Sequence, residues 1–300
     1  MYDHRAFGLT LRSCLPLPGP RVTHIGEPDV RIAYGPVASD LPDAVSRGSL
    51  HQARPHALLL TIDRVARYLV SDGRHVMIER HDEASDADVQ VFLMGSVLGA
   101  LLHQRKDLVL HGSVVDIGDR AIGFLGLSGS GKSTLAAAIS RRGHRVVSDD
   151  LCVLRWRDDD GAALVQPGLP QMKLWLDALD RLDLSATTQT PLRHRADKRA
   201  IEMSTAFASQ AVPLARLYVL QPADVAGIEL TPIEGSQKFQ TLMDHTYRLS
   251  FVEGLGIKPA HFQRVVRLAR ETPMAAVRRP RDVLRLDELV DALVADIGSR

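Results

Sequence analysis

The residues best suited to chemistry lie in a glycine-rich segment in the middle of the chain. Residues 126–133 match the pattern G-x-x-x-x-G-K-[ST] at every fixed position. Glycines allow successive backbone N–H groups to turn towards a phosphate, and Lys132 would add a mobile charge for the β- and γ-phosphates. Ser133 would offer its hydroxyl to Mg²⁺. The pattern predicts a P-loop that contacts a nucleotide through Gly126, Ser128, Gly129, Ser130, Gly131, Lys132, Ser133 and Thr134.

Two other interpretations of this segment are weaker. A flexible glycine-serine turn does not require an apolar strand before it and an amphipathic helix after it, and both patterns are present. The spacing does not fit the dinucleotide pattern G-x-G-x-x-G. Nor does it fit the nucleophile elbow G-x-S-x-G, since Ser130 stands at the second glycine position.

An adjacent pair of carboxylates, Asp149 and Asp150, follows the strand that we predict at residues 144–148. A right-handed strand–helix–strand unit sets that strand parallel to the strand at 121–125, which leads into the glycine segment. Both strands then end on the same side, and the two carboxylates lie beside the γ-phosphate. One can hold Mg²⁺ while the other accepts a proton from an attacking hydroxyl. The alternative is that the pair only forms a turn or a helix cap.

The elements that position these residues follow from the hydrophobic pattern, which predicts an α/β chain. We expect a smaller strand-rich region over residues 1–100, with an acidic loop at 81–88, and a P-loop catalytic domain over 101–300. The predicted strands are 58–62, 66–70, 75–79, 108–115, 121–125, 144–148, 214–220 and 274–278, and residues 1–50 are expected to form short strands and turns. The predicted helices are 89–104, 134–142, 174–184, 237–249, 259–270 and 286–297, with a mobile polar loop at 185–200.

Composition excludes several classes of protein. Lys and Arg total 37 against 36 for Asp and Glu, so no bulk basic field exists to attract nucleic acid or an anionic membrane. Cys14 and Cys152 lie far apart, which argues against a disulfide framework or a structural zinc site. The longest apolar run, residues 91–102, is shorter than the roughly 20 residues that a membrane helix needs. We therefore expect a soluble, cytoplasmic protein.

Further short motifs flank the glycine segment. His111-Gly112-Ser113, then the glycine segment, then Arg142-Gly143-His144-Arg145 and Asp149-Asp150 resemble the catalytic core of HPr kinase/phosphorylase over about residues 108–154. The resemblance implies a compact P-loop kinase fold of the kind shared with phosphoenolpyruvate carboxykinase. It also implies that Asp149 is the base, that Asp150 and Ser133 hold the metal, and that His111 contacts the phosphate-transfer site. By residue type alone, His111 is more often a packed residue of an apolar strand.

The chain departs from that family at two places. Thr134 stands where the family has Glu, and residues 167–175 replace the family's Leu-Glu-Ile-Arg-Gly-Leu-Gly segment. These departures weaken the expectation of phosphorylase activity and of HPr as the acceptor. The overall pattern is more similar to the HPr kinase-related group found beside lasso-peptide biosynthesis genes, whose members phosphorylate a serine near the C-terminus of the precursor peptide. The segments that carry this similarity are 68–70, 92–96, 102–105 and 278–282.

Three groups of residues outside these motifs have open roles. Lys198 and Arg199 would either fold over the phosphates or form a solvated pair on the predicted loop. Lys173, beside Trp175, would position nucleotide or peptide, and Trp175 is equally well interpreted as a core residue. The basic cluster Arg278, Arg279 and Arg281 is interpreted as solvated surface rather than as a contact for an acidic peptide.

The leading hypothesis is an ATP- and Mg²⁺-dependent serine kinase with Asp149, His111 and Lys132 as catalytic residues and a lasso-type precursor peptide as acceptor. A small-molecule kinase or an HPr-like protein serine kinase is an alternative on the same core. A nucleotide-binding regulatory module with little catalysis is a third hypothesis, although it would not need the carboxylate pair. We expect no nucleic acid or membrane partner, and the resemblance allows a homo-oligomer.

Overall fold

The computed structural model of the protein describes residues 1–23, 26–157, 161–182, 184, 189–192, 195–203, 206–281 and 285–298, and at 189–192 and 195–198 it describes the backbone alone. The strands are β1 Tyr2–Ala6, β2 Leu9–Ser13, β3 Val30–Tyr34, β4 Ser46–Arg47, β5 His51–Arg54, β6 Ala57–Ile62, β7 Ala66–Ser71, β8 His75–Arg80, β9 Leu108–His111, β10 Ser113–Asp116, β11 Ala121–Leu125, β12 Arg145–Ser148, β13 Leu151–Trp156, β14 Ala163–Gln166, β15 Gln171–Trp175, β16 Gln189–Leu192, β17 Arg195–Glu202, β18 Val212–Ala223, β19 Glu229–Ile233 and β20 Met274–Pro280. The helices are α1 Asp86–Phe92, α2 Leu98–Gln104, α3 Lys132–Arg141, α4 Leu176–Arg181, α5 Gly235–Asp244, α6 Leu249–Gly254, α7 Lys258–Glu271 and α8 Leu286–Gly298, and a π-helical turn, Leu93–Val97, joins α1 to α2.

The N-terminal region forms an eight-stranded sheet in the order β1-β2-β3-β8-β7-β6-β5-β4. The predicted hairpin is confirmed, because β6, β7 and β8 pair antiparallel in sequence. Asp72 and Gly73 have φ of +55° and +62°, the backbone that a tight hairpin turn requires. The side chains of β7 alternate between buried and half-buried, which places one face of the sheet in the core. Tyr68 donates a hydrogen bond from that face to the carbonyl of Val89 in α1.

The helical stretch after this sheet begins earlier than predicted. Asp86 opens α1, since Ser85 and Asp88 form a reciprocal capping box, so the acidic loop is shorter than residues 81–88. The helical region otherwise continues to Gln104, as predicted, but with a π-helical turn that ends at Val97. The predicted domain boundary near residue 100 stays a prediction. One hydrophobic cluster joins the sheet to α2 and includes Tyr247, Phe251 and Leu255 from later in the chain.

A nine-stranded mixed sheet carries the candidate site. The segment predicted as one strand over 108–115 is two strands, because the strand is interrupted at Gly112. A Cβ there would lie 2.8 Å from the carbonyl oxygen of Phe124, so the backbones approach too closely for a side chain. The first half, β9, pairs with β13, while β10 pairs antiparallel with both β11 and β12. Therefore β11 and β12 are parallel, as predicted, but β10 lies between them.

Helices cover both faces of this sheet. On one face, Leu135 and Ile139 of α3 belong to a hydrophobic cluster with Phe124 and Tyr218 of the sheet. Leu293 of α8 belongs to the same cluster. A second cluster gathers α5 and α7 against β11 and β18 through their buried leucines and valines. Strand β11 pairs parallel with β18, and β18 pairs parallel with β20. The architecture is therefore mixed α/β, as expected, and no helix in the described ranges is both long and apolar enough to span a membrane.

The segment 171–202 differs most from its prediction. The predicted helix 174–184 is strand β15 up to Trp175 and helix α4 only from Leu176. The predicted mobile loop 185–200 is wrong over 189–192 and 195–200, since β16 and β17 pair with each other and β17 pairs with β15. The polar composition of this segment predicted a loop. An antiparallel sheet, however, can carry polar side chains on a face that contacts water. Strands β13, β14 and β19 and helix α6 were also not predicted, and helix 237–249 ends at Asp244.

Candidate functional site

The glycine loop, residues 126–131, follows the fully buried strand β11 and leads directly into α3. Gly126, Gly129 and Gly131 have φ of +142°, +85° and +95°, a backbone region that other residues rarely adopt. A Cβ at Gly126 would lie 2.8 Å from the carbonyl oxygen of Leu220. The sequence pattern therefore has a local cause, because the loop needs glycine for both its conformation and its packing.

Lys132 is buried and folds back over this loop. Its Nζ donates to the carbonyl oxygens of Gly126, at 2.9 Å, and of Leu127, at 3.1 Å. Two neutral carbonyls are weak partners for an ammonium group, whereas phosphate oxygens would form stronger, charge-assisted bonds. The contacts therefore hold the charge at the loop, where a phosphate can compete for it.

Asp149 is fixed by three hydrogen-bond donors from three different elements. Its Oδ1 accepts from Ser133 Oγ at 2.8 Å and from Ser113 Oγ at 2.6 Å. Its Oδ2 accepts from the backbone N–H of Lys173 at 3.1 Å. The carboxylate thus lies against the start of α3 and contacts the hydroxyl of Ser133, the residue that follows Lys132.

Asp150 faces a different set of partners, although it is the next residue. It adopts the left-handed conformation, with φ of +72°, and this turns its side chain away from that of Asp149. Lys173 Nζ lies 3.0 Å from Oδ2 and His111 Nδ1 lies 3.2 Å from Oδ1. Burial by itself would raise the pKa of Asp150, but the charges and hydrogen bonds of Lys173 and His111 hold that pKa well below its usual range. Burial would likewise lower the pKa of Lys173, yet Asp150 raises it.

The structure brings most of the predicted site residues to one place. His111, Ser128, Lys132, Ser133, Thr134, Asp149 and Asp150 line one cleft with Gly129 and Gly131 of the glycine loop. Ser130 is buried inside that loop against Gly126. The roles predicted for these side chains stay predictions.

Lys198 and Arg199 lie on strand β17, in register with Trp175 and Leu174 of β15. They are not in a loop, so the expectation of mobile cations has lost its structural basis. For Lys198 the side chain lies outside the described part of the structure, and a contact of either residue with a phosphate stays a prediction.

The interpretation of the basic cluster as solvated surface is wrong for one of its members. Arg279 is buried and donates from Nη2 to the carbonyl oxygen of Ser130 at 2.7 Å. Arg278 and Arg281 are exposed and pair with Glu229 and Asp224, as a solvated surface would. The difference follows from the alternation of β20, which turns neighbouring side chains to opposite faces.

Two side chains next to Asp149 and His111 were not among the predicted site residues. Ser113 directs its hydroxyl at Asp149, although the sequence offered only its place after His111-Gly112. Tyr247 is 8% exposed, and its ring centroid lies 6.0 Å from that of His111. Burial, and then the charge of Asp150, raise the pKa of Tyr247 to about 12. The available signal was the G-x-x-x-G spacing of Gly95 and Gly99, which opens a helix surface to a close neighbour.

The cleft has a volume of about 890 Å³ and extends well beyond the glycine loop. This volume lies in the range of small-molecule and cofactor sites. One end is formed by the nine-stranded sheet and α3, and the other by the N-terminal sheet and α1. The residues at that second end are Leu50, Ile62, Asp63, Val91 and Phe92.

The oxygen donors in the cleft suit a hard divalent cation. Ser133 Oγ and Asp149 Oδ1 are already adjacent, and oxygen is the ligand atom that Mg²⁺ prefers. In the described ranges of the chain, no three His, Cys, Asp or Glu side chains cluster closely enough to hold a metal. A Mg²⁺ ion bound by one or two protein oxygens normally completes its shell with phosphate oxygens and water. The donor set therefore fits a metal that arrives with a nucleotide.

Sequence and structure comparisons relate the chain to one group of proteins. No family model matches it. The chain is 28% identical over 120 residues to a protein named HPr kinase/phosphorylase from Exiguobacterium. The alignment covers 37% of this chain and 39% of that protein. It is 33% identical over 75 residues to the protein of the same name from Lachnoclostridium phytofermentans. This alignment covers 25% of this chain and 24% of that protein.

These matches span only about two fifths and a quarter of the two relatives. A solved structure described as the HPr(Ser) kinase/phosphatase from Coxiella burnetii aligns with 14% identity and a TM-score of 0.31, covering 63% of this chain and 95% of that one. Over the matched residues, the chain is thus similar in sequence to proteins named HPr kinase/phosphorylase.

Proposed function

We propose that the protein is a serine kinase that uses ATP and Mg²⁺. The observation that carries this proposal is the meeting of Lys132, Ser133 and Asp149 with Asp150 and His111 in one cleft. The first three groups are those that phosphoryl transfer needs around a nucleotide, and the last two provide the acceptor side. The sequence similarity to proteins named as kinases supports the same reaction class.

Asp149 and Ser133 would hold Mg²⁺, and Lys132 would leave the carbonyl oxygens of Gly126 and Leu127 to bind the β- and γ-phosphates. The metal, when bound, neutralises charge on the phosphates of the donor. Arg279 fixes the glycine loop from behind through Ser130. The loop N–H groups then stay oriented without reorganisation during transfer.

Asp150 is the proton acceptor in this proposal, which reverses the roles that the family resemblance implies. Asp149 already receives two hydroxyl donors on Oδ1, so its position is that of a metal-side carboxylate. Asp150 stays ionised because Lys173 and His111 stabilise its charge. An ionised carboxylate can orient a serine hydroxyl, and positioning matters more than base strength in a loose phosphoryl-transfer transition state.

The acceptor that we favour is a serine near the C-terminus of a lasso-type precursor peptide. An open cleft that continues past Asp150 suits an extended peptide better than a closed pocket for a small molecule. An HPr-like protein, a small molecule bearing a hydroxyl and a regulatory role with little catalysis are the alternatives that the experiment must separate.

Mass spectrometry of acceptors tests the proposal. The protein is incubated with ATP, Mg²⁺ and, separately, lasso-type precursor peptides, an HPr protein and free serine. We expect one phosphate on the peptide serine, strongly reduced in Asp150→Asn and in Lys132→Ala. Asp72→Asn is the matched control, because Asp72 is exposed in a hairpin turn of the N-terminal sheet and Asn tolerates its left-handed backbone. Labelling of HPr or serine alone would move the assignment to that acceptor, and ATP binding without any labelling would favour the regulatory module.

A further inference from the structure

The end of the cleft farthest from the glycine loop has an apolar wall. Leu50 precedes β5, Ile62 ends β6, and Val91 and Phe92 close α1, so the wall is contributed by the N-terminal sheet and its covering helix. Leu50 is 46% exposed, so its side chain is accessible to a ligand. An apolar surface facing a cleft is a favourable contact for an apolar ligand side chain.

The segment that carries Tyr247 and Arg248 connects this wall to the reacting groups. The N–H of Tyr247 donates to the carbonyl of Val109 at 2.9 Å, and His103 Nε2 contacts the carbonyl oxygen of Tyr247 at 2.7 Å. A Cβ at Gly99 would lie 2.7 Å from Cε1 of the Tyr247 ring, so the ring lies directly against α2. Tyr247 is thus fixed from both sides, and the residue after it has a defined position in the cleft.

Arg248 is held there in a strained backbone conformation. Its φ of +49° is left-handed, a conformation that strains a non-glycine backbone. The helix that follows, α6, packs on the N-terminal sheet, where Phe251 contacts the ring of His51 at a centroid distance of 4.9 Å. Arg248 therefore sits at the same end of the cleft as Leu50.

The guanidinium of Arg248 is exposed and lines the cleft. Among the residues that the structure describes, it forms no hydrogen bond and no ion pair. Four carboxylates line the same cleft. Asp149 and Asp150 have the partners described above, Asp63 lies 3.9 Å from Arg64, and Asp244 accepts a hydrogen bond from Gln240. An exposed arginine with no partner in the described part of the chain is well placed to bind a ligand carboxylate, for which its planar fork has the matching geometry.

We propose that this end of the cleft is the acceptor subsite, and that it takes a serine-bearing peptide with two features beside the serine. One is an apolar side chain that packs on Leu50, Ile62 and Phe92, and the other is a carboxylate that pairs with Arg248. The inference rests on the proposed kinase function. In the transfer, the serine oxygen bonds to the γ-phosphorus and the bond from that phosphorus to the β–γ bridging oxygen breaks. The hydroxyl proton goes to Asp150, and the electron pair leaves with ADP.

Binding of defined peptides tests the subsite independently of phosphate transfer. Short fluorescent peptides carry one serine beside a leucine and end in a free carboxylate, in an amide, or in an amide with an aspartate next to the leucine. Their affinity is measured by fluorescence anisotropy with a non-hydrolysable ATP analogue present. We expect Arg248→Gln to weaken binding of a carboxylate peptide about tenfold, because the charge-assisted hydrogen bonds are lost. Arg248→Lys should weaken binding less, because lysine keeps the positive charge as a point charge.

The matched control is Lys106→Gln. Lys106 is also an exposed cation with a left-handed backbone, at φ of +62°, but it does not line the cleft. Leu50→Ser should reduce the preference for the leucine peptide over a glycine counterpart. The free-acid and aspartate peptides show whether the carboxylate comes from a C-terminus or from a side chain.

The outcomes separate this proposal from the kinase proposal. Equal binding of acid and amide peptides, unchanged binding to Arg248→Gln, or no peptide binding at all would overturn the subsite. Phosphate transfer to a serine acceptor would leave the kinase function standing in each of those cases. Conversely, Arg248-dependent binding without transfer to any acceptor would support the subsite and count against the kinase.

Discussion

The hydroxyl of Ser133 donates a hydrogen bond to Oδ1 of Asp149 across 2.8 Å, although the two residues belong to different elements of the fold. Ser133 lies in the first turn of α3 and Asp149 follows β12. Strand β10 separates β12 from β11, and its first residue, Ser113, donates to the same oxygen. The inserted strand is thus part of the site as well as of the sheet.

This arrangement predicts different effects for the two carboxylates. Asp149→Asn should raise the Mg²⁺ concentration needed for half-maximal transfer, because it removes a negatively charged ligand beside Ser133. Asp150→Asn should lower kcat by about 10²-fold or more with little change in the Mg²⁺ requirement, because it removes the group that orients the acceptor hydroxyl. Steady-state kinetics across a Mg²⁺ titration make the comparison. The reverse pattern would restore the roles that the family resemblance implies.

The buried guanidinium behind the glycine loop predicts a selective effect on the nucleotide. Arg279→Lys should raise the KM for ATP about tenfold, since a lysine cannot reach both Ser130 and Pro280 carbonyls and a charge-assisted bond is worth about 1.5–3 kcal/mol. Arg278→Lys is the matched control, because Arg278 is the exposed neighbour paired with Glu229. ATP and acceptor KM values are measured separately. An equal loss in both variants would contradict a specific role for Arg279.

The close contact between α2 and Tyr247 predicts a stability defect. Gly99→Ala would place a Cβ 2.7 Å from the Tyr247 ring, and overpacking of this kind costs about 1–3 kcal/mol even though alanine favours helix. Gly227→Ala serves as control, because a Cβ there meets no atom within 4 Å. Urea unfolding of both variants gives the difference in free energy. A Gly99→Ala protein as stable as Gly227→Ala would show that the ring can move aside.

Two buried histidines predict acid sensitivity between pH 6.5 and pH 4. Burial lowers the pKa of His103 to about 4, and burial together with repulsion from His103 and Arg264 lowers that of His261 to about 4. Their stabilisation is complete above the unfolded pKa near 6.5. It falls as the pH drops towards 4, because the unfolded chain then binds protons that the folded chain does not, by up to about 3 kcal/mol for each histidine.

The measurement is the free energy of unfolding at several pH values between 7 and 4. His103→Gln should be less stable at pH 7 but should lose less stability on acidification, since one titrating group is gone. His75→Gln, at an exposed position of β8, should keep the slope of the unchanged protein. A slope that is the same in His103→Gln as in His75→Gln would assign the acid sensitivity to other groups.

Local chemistry made the glycine loop predictable from sequence. The positions of Gly126, Gly129 and Gly131 follow from backbone conformations that only glycine adopts readily, and strand, loop and helix are contiguous in the chain. The same holds for the hairpin at Asp72-Gly73 and for the amphipathic helices. Patterns of this kind depend on neighbours a few residues away, and these neighbours are visible in the sequence.

The tertiary structure decided how Asp149 and Asp150 differ. Both are aspartates after the same strand, and only the left-handed turn at Asp150 and the approach of Lys173 from β15 give them separate partners. The burial of Arg279 and the placement of Tyr247 against Gly99 likewise depend on residues more than a hundred positions away. Such contacts arise from the order of strands in the sheet. A single sequence carries no local signal for that order, because the free energy that selects it comes from packing of the whole core.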